Sequence, residues 1–295
     1  MEEYLYYFPN GRQAKIFDRK EEGVTIGDSF KKELETALSN ILKVNRLFLS
    51  CAANFSSVKE IEDVFLFFKD DVVIYPNEPN NWLSYSVEIL SKDENYKFDF
   101  MNFMKRIGTG LVNIQTKLEH KRLDRKELPE DMPEILKGII ASQDADLIEA
   151  KLDYKGFTLD LQEESNGIKK LFEVLCPLIN IIVSDKVLVW DELETSFHPC
   201  IVTEIIEMFQ KGKIDSKSQF IFTTHDINLL DLQRFRRDQI WFTELNESSR
   251  ATDLYSLSDL KNVRKDENIQ KGYISGKYGA IPCVSSQLAD MFSAR

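Results

Sequence analysis

Two acidic residues in succession, Asp191 and Glu192, follow the apolar run Val187-Leu188-Val189-Trp190. A short run without polar alternation reads as a strand buried in a parallel sheet. The carboxyl ends of such strands are where open α/β sheets bind ligands. There Asp191 can hold Mg²⁺ through water, because magnesium takes oxygen ligands and keeps part of its hydration shell. Glu192 beside it can orient and deprotonate an attacking water. The plain alternative is a pair of exposed loop acids.

A second strand signal, Gln219 to Phe222, leads through Thr223-Thr224 to His225-Asp226. The separation suits a βαβ unit of a P-loop-type sheet. At a strand end His225 can hydrogen-bond a terminal phosphate or the attacking water. Upstream, Ser165-Asn166-Gly167 opens a helix whose apolar positions, Ile168, Leu171, Phe172, Leu175, Ile179 and Ile182, recur at helical spacing. Ser165 or Asn166 can cap that helix, and a capped helix start with a glycine attracts anions. Taken alone, this segment reads as an ordinary cap. Pro177 lies inside the pattern and is expected to kink or split the helix. Pro199 opens another, bearing Ile201, Ile205, Met208 and Phe209. His198 could face a subunit interface, and His120 reads as an exposed residue.

The pattern G-x-x-x-x-G-K-[ST], which cradles phosphates, occurs nowhere in the chain. Gly272-Tyr273-Ile274-Ser275-Gly276-Lys277-Tyr278-Gly279 comes nearest. Its glycine spacing is wrong, and Tyr278 stands where a magnesium-binding hydroxyl is needed. It reads as a C-terminal turn with a structural role.

The elements that would position these residues fall into three segments. Residues 1–83 read as β-structure with helices: a hairpin over about the first 27 residues, helices over 29–45 and 58–69, and an apolar run, Leu47 to Ala53, of undecided type. Residues 84–146 read as a charged helical insertion, with a helix over 99–107 and an apolar stripe, Leu111, Ile114 and Leu118, continuing it. A solvated insertion is preferred here to a nucleic-acid clamp. Residues 147–295 carry the strand alternation of Ile148 to Leu161, turned at Lys155-Gly156, and then every motif above. Ile240 to Thr243 reads as the next strand, with Leu254 to Leu257 beyond it.

The formal net charge of −11 argues against a broad nucleic-acid-binding surface, though a local basic face stays open. The four cysteines, Cys51, Cys176, Cys200 and Cys283, lack metal-ligand spacing and read as reduced cytosolic thiols. No apolar stretch is long enough to span a bilayer, and no leader peptide is visible, which points to a cytoplasmic protein without a membrane partner.

Together these segments resemble the ABC-type ATPases of the AAA group in bacterial abortive-infection and anti-phage systems. They are also similar to the nucleotide-binding heads of SMC-like proteins. In that resemblance Ser165-Asn166-Gly167, with Ile168-Lys169-Lys170, looks like a degenerate signature motif, which touches ATP in trans. Val187 to Glu192 looks like the Walker B strand, with Asp191 the metal-site acid and Glu192 the catalytic base. Ser196 falls in the D-loop, and His225 is the switch histidine. The tail Tyr273 to Pro282 has the look of this family's ending. The resemblance implies an α/β, ABC ATPase-like sheet with ATP and Mg²⁺ as cofactors, and a chain lacking its N-terminal Walker A lobe. It also implies a homodimer, or a complex with another chain that supplies that lobe, and an effector protein as a further partner. The rival reading is a non-catalytic dimerisation or regulatory scaffold derived from an ATPase. A nuclease finds little support, because no second acidic cluster is arranged for two metals.

Overall fold

The computed structural model describes residues 2–21, 23–38, 45–75, 82–122, 133, 144–195, 197–212, 215–246, 248–261, 263–264 and 267–282. The chain is mixed α/β. It forms two compact units, Met1–Thr224 and His225–Arg295.

The first unit begins with an antiparallel sheet, β1 (Glu3–Tyr7), β2 (Ala14–Lys20) and β3 (Gly23–Ile26), so the expected hairpin gains a third strand. Ile16 and Phe17 of β2 form a core with Phe30 and three helices, α1 (Lys31–Leu38), α2 (Phe48–Phe55) and α3 (Lys59–Leu66). The expected helix over 29–45 is thus present to Leu38, and its remainder to residue 44 lies outside the described residues. The undecided run Leu47 to Ala53 is helix α2. Glu3 fixes its start: its carboxylate accepts from the Phe48 N–H at 2.9 Å and from Arg19 at 2.8 Å. A carboxylate is favoured there by the helix dipole and the unpaired first-turn N–H groups.

A wide helical turn, Phe67–Asp71, leads into β4 (Val72–Tyr75). β4 pairs in parallel with β8 (Val187–Trp190), and β8 pairs in parallel with β9 (Gln219–Phe222). β8 is therefore the central strand. Tyr75, Trp190 and Phe222 form one cross-strand row, and Val73, Leu188 and Phe220 another on the same face. Helices cover that face. Phe220 stacks on Phe209 of α7 (Pro199–Lys211) at 4.5 Å, and Tyr75 reaches Glu173 of α6 (Asn166–Val183). The opposite face carries the row Ile74, Val189 and Ile221, in which Ile74 and Ile221 are each 54% exposed.

α6 follows the periodicity read from the sequence. Leu171, Phe172, Leu175 and Leu178 are among its buried residues, each contributing roughly 1.5–3 kcal/mol of hydrophobic stabilisation. Pro177 does not split it, and the helix runs through as one element. The proline removes the N–H that would pair with the Glu173 carbonyl. Ser86 of α4 (Trp82–Lys92) replaces it, donating its hydroxyl to that carbonyl at 2.9 Å.

The helical reading of 84–146 holds for α4 and for α5 (Glu94–Arg106), capped by the Asp93 carboxylate. From Leu111 it is corrected. β5 (Leu111–Arg122) pairs antiparallel along its length with β6 (Asp144–Tyr154), which pairs with β7 (Phe157–Asp160). A bulge between Leu111 and Asn113 shifts the strand's alternation by one residue. Leu111 and Ile114 are consequently both buried, and the 111, 114, 118 spacing imitates a helix. β6, β7 and the turn at Lys155-Gly156 occur as expected, with Gly156 supplying φ +100°.

The second unit has its own core of Ile240, Phe242, Leu257, Val263, Ile269 and Tyr278. The strand expected to follow β9 exists as β10 (Trp241–Leu245), but it pairs antiparallel with β11 (Thr252–Ser256) in a separate sheet. Residues 272–279 have a packing role. Gly272 lies in α8 (Ile269–Ile274), where a Cβ would come within 2.5 Å of the Tyr278 hydroxyl. Among the described residues no helix is long and apolar enough to cross a membrane.

Candidate functional site

The two acids emerge from the central strand and are held from both sides. The Asp191 N–H donates to the Tyr75 carbonyl at the end of β4, at 3.1 Å. On the other side the Thr223 N–H donates to the Trp190 carbonyl at 3.0 Å, and the Leu193 N–H donates to the Thr223 carbonyl at 3.1 Å. The backbone around Asp191 and Glu192 is thereby tied to both neighbouring strands.

Thr223 also bridges the two acids through its side chain. Its hydroxyl donates to Asp191 Oδ1 at 2.6 Å and accepts the Glu192 N–H at 2.8 Å. Glu192 itself adopts φ 52°, the left-handed region. That conformation costs a residue with a Cβ roughly 1–2 kcal/mol. The turn fixes it through the Thr195 N–H, 3.0 Å from the Glu192 carbonyl. Strain of this kind collects where a side chain must be aimed. Both acids are exposed and follow directly on the carboxyl end of β8.

The donor set suits magnesium of one kind only. Among the described residues no group of three His, Cys, Asp or Glu side chains could cage an ion. One carboxylate, oriented by a hydroxyl from the next strand, fits a magnesium ion that arrives with phosphate oxygens and waters.

Ser165 is the N-cap of α6, its Oγ accepting from the Ile168 N–H at 3.4 Å, and Asn166 and Gly167 form the first helical positions. Ser165 and Asn166 are exposed. Ser196 lies outside the described residues. His225 is exposed and opens the second unit, whereas Asp191 and Glu192 belong to the first. His198 caps α7, its Nδ1 accepting from the Cys200 N–H at 3.3 Å. His120 belongs to β5.

The sequence reading gave no role to Thr223 or Tyr75, and took Lys170 only as part of the signature-like stretch. Thr223 is half of a Thr-Thr pair just before His225, and that doublet was the available signal. Tyr75 is 3% exposed, with its ring 4.4 Å from those of Trp82 and Trp190. Lys170, one turn into α6, donates to the Tyr75 hydroxyl.

No curated protein matches the chain. Among solved structures it is similar to the Smc head domain with an extended coiled coil, bound to the C-terminal domain of ScpA, from Pyrococcus furiosus. That likeness has a TM-score of 0.32 and 15% identity, over 76% of this chain and 47% of the other. The chain thus spans about half the length of that relative. The profile of one family, described as "AAA domain, putative AbiEii toxin, Type IV TA system", matches residues 11–231, the stretch that contains the acids, Thr223 and the start of α6. A match over that much of the sequence decides the family: the chain belongs to the AAA-domain family of the AbiEii type.

Proposed function

We propose that this chain carries the metal-binding and water-activating half of an ATP-hydrolysing site, in a cytoplasmic bacterial system that acts against phage. The observation that carries the reading is the Thr223 bridge, which sets Asp191 and Glu192 side by side at the end of a central parallel strand. Asp191 would hold Mg²⁺ through water, and the ion would neutralise charge on the phosphate oxygens. Glu192 would accept the proton of the attacking water. Ser165, Asn166 and Gly167 would face the nucleotide of a partner, and His225 would bond the terminal phosphate. The defence role rests on the family's description.

In this reading the phosphate-cradling loop comes from another segment, joined to this one or carried by a partner chain. Two features support it. The sequence contains no G-x-x-x-x-G-K-[ST]. Among the described residues β9 is an edge strand, and Ile74 and Ile221, on either side of the half-buried Val189, are exposed on a parallel sheet, a class normally covered on both faces. A strand beside β9 with a helix over that face would complete the sheet.

The test is Mg²⁺-dependent ATP turnover by this chain alone and with a glycine-loop lobe restored. The expected result is turnover only in the restored protein, reduced about 10²–10⁴-fold by Glu192→Gln. Turnover indifferent to that substitution would sink the mechanism. The same exposed residues favour a second reading, a scaffold that oligomerises without nucleotide. A nucleotide-dependent change in sedimentation would count against it.

A further inference from the structure

We infer that Tyr75 and Lys170 are positioning residues that couple the start of α6 to Asp191 and Glu192. The inference rests on the hydrolytic reading above. Tyr75 serves the acids with its backbone, since its carbonyl accepts the Asp191 N–H. Its side chain serves a different element. The ring is wedged between Trp82 and Trp190, and Trp190 is the residue immediately before Asp191. The hydroxyl donates to Glu173 Oε1 at 3.1 Å and accepts from Lys170, while Lys170 and Glu173 pair at 3.5 Å. Both partners lie in the first two turns of α6, the helix capped by Ser165.

A continuous path therefore runs from the N-terminal turn of α6, through a charged pair and a phenol, to the N–H of Asp191. Filling space between two tryptophans needs only a phenylalanine. The hydroxyl adds one thing, a link to α6. Lys170 bonds that hydroxyl and pairs with Glu173, so the phenol, the ammonium and the carboxylate bond one another. A movement of the α6 start, such as a ligand there would cause, shifts Tyr75 and with it the amide that carries the metal-site acid.

Amide hydrogen exchange of the whole chain, without nucleotide, tests this in Tyr75→Phe and Lys170→Met. The expected result is about tenfold faster exchange at Asp191, with the amide of Leu34 in α1, which is bonded to the Phe30 carbonyl at 3.0 Å, unchanged. Unchanged exchange at Asp191 in both variants overturns the inference. So does an equal rise at Leu34, which would mean a general loss of stability. In the protein with its glycine-loop lobe restored, both variants should lower kcat about tenfold and leave KM for ATP unaltered, because neither side chain touches nucleotide. Faster exchange in a restored protein without turnover would retain the coupling and remove the hydrolytic reading. Turnover with an unaffected Asp191 amide would do the reverse.

Discussion

The Thr223 hydroxyl lies 2.6 Å from Asp191 Oδ1 and bonds the Glu192 N–H with its lone pair, so one side chain just past β9 organises both acids that follow β8. Replacing it with valine keeps the shape and removes both bonds. Thr223→Val should lower stability by about 1 kcal/mol in urea denaturation, and Thr223→Ser should lower it far less. Equal losses in the two variants would mean that the methyl group, and not the hydroxyl, matters here.

Glu192 holds a left-handed conformation that glycine adopts without penalty and alanine does not. Glu192→Gly should therefore be more stable than Glu192→Ala by about 1 kcal/mol, a comparison in which both variants lack the carboxylate. Denaturant midpoints measure it. If alanine proves the equal of glycine, the turn relaxes out of the left-handed region once the glutamate is gone.

Within α6, Pro177 leaves the Glu173 carbonyl without its helical partner, and Ser86 supplies one. Ser86→Ala strands that buried carbonyl and should destabilise the chain by about 1–3 kcal/mol. Adding Pro177→Ala restores an N–H at the right place in the helix. The double variant should then regain most of the loss, a coupling that a thermodynamic cycle measures directly.

Reactivity should separate the cysteines. Cys176 is buried between helices, and burial pushes its thiol up to about 12, so it carries almost no thiolate at pH 8. Cys200, on the first turn of α7, is exposed. Mass spectrometry after brief alkylation of the folded chain should find the label on Cys200 and none on Cys176. Early labelling of Cys176 would mean that α6 opens locally.

These features differ in how far the sequence revealed them. α6 was legible because its apolar residues repeat at a helical period, and β8 because four apolar residues end abruptly in two acids. β5 was not, because a bulge after Leu111 converts a two-residue period into a helix-like one. β10 was visible as a strand, yet its partner was not, since pairing depends on which segment folds back on it. Thr223 and Tyr75 share that limit. Each acts on Asp191 from a strand far away in sequence, and only the parallel register of β4, β8 and β9 brings them together. The Ser86 bond to Glu173 arises likewise from α4 packing against α6.

The second unit should show its own acid sensitivity, centred on Glu267. Lys277 donates to its carboxylate, as do the Arg264 N–H at 3.1 Å and the Tyr278 hydroxyl at 2.9 Å. Led by the Lys277 bond, these hold the Glu267 pKa down at about 2, against 4.5 for an ordinary glutamate. A group whose folded value is depressed stabilises the fold above its unfolded value and loses that contribution as pH falls through the folded one. Stability of the region around α8 should therefore decline between about pH 4.5 and pH 2. Glu267→Gln bonds without titrating and should flatten the decline over that window. The near-ultraviolet circular dichroism of Tyr278 and its neighbours, followed against pH, would show it. A variant that loses signal over the same range as the parent would place the acid-sensitive group elsewhere.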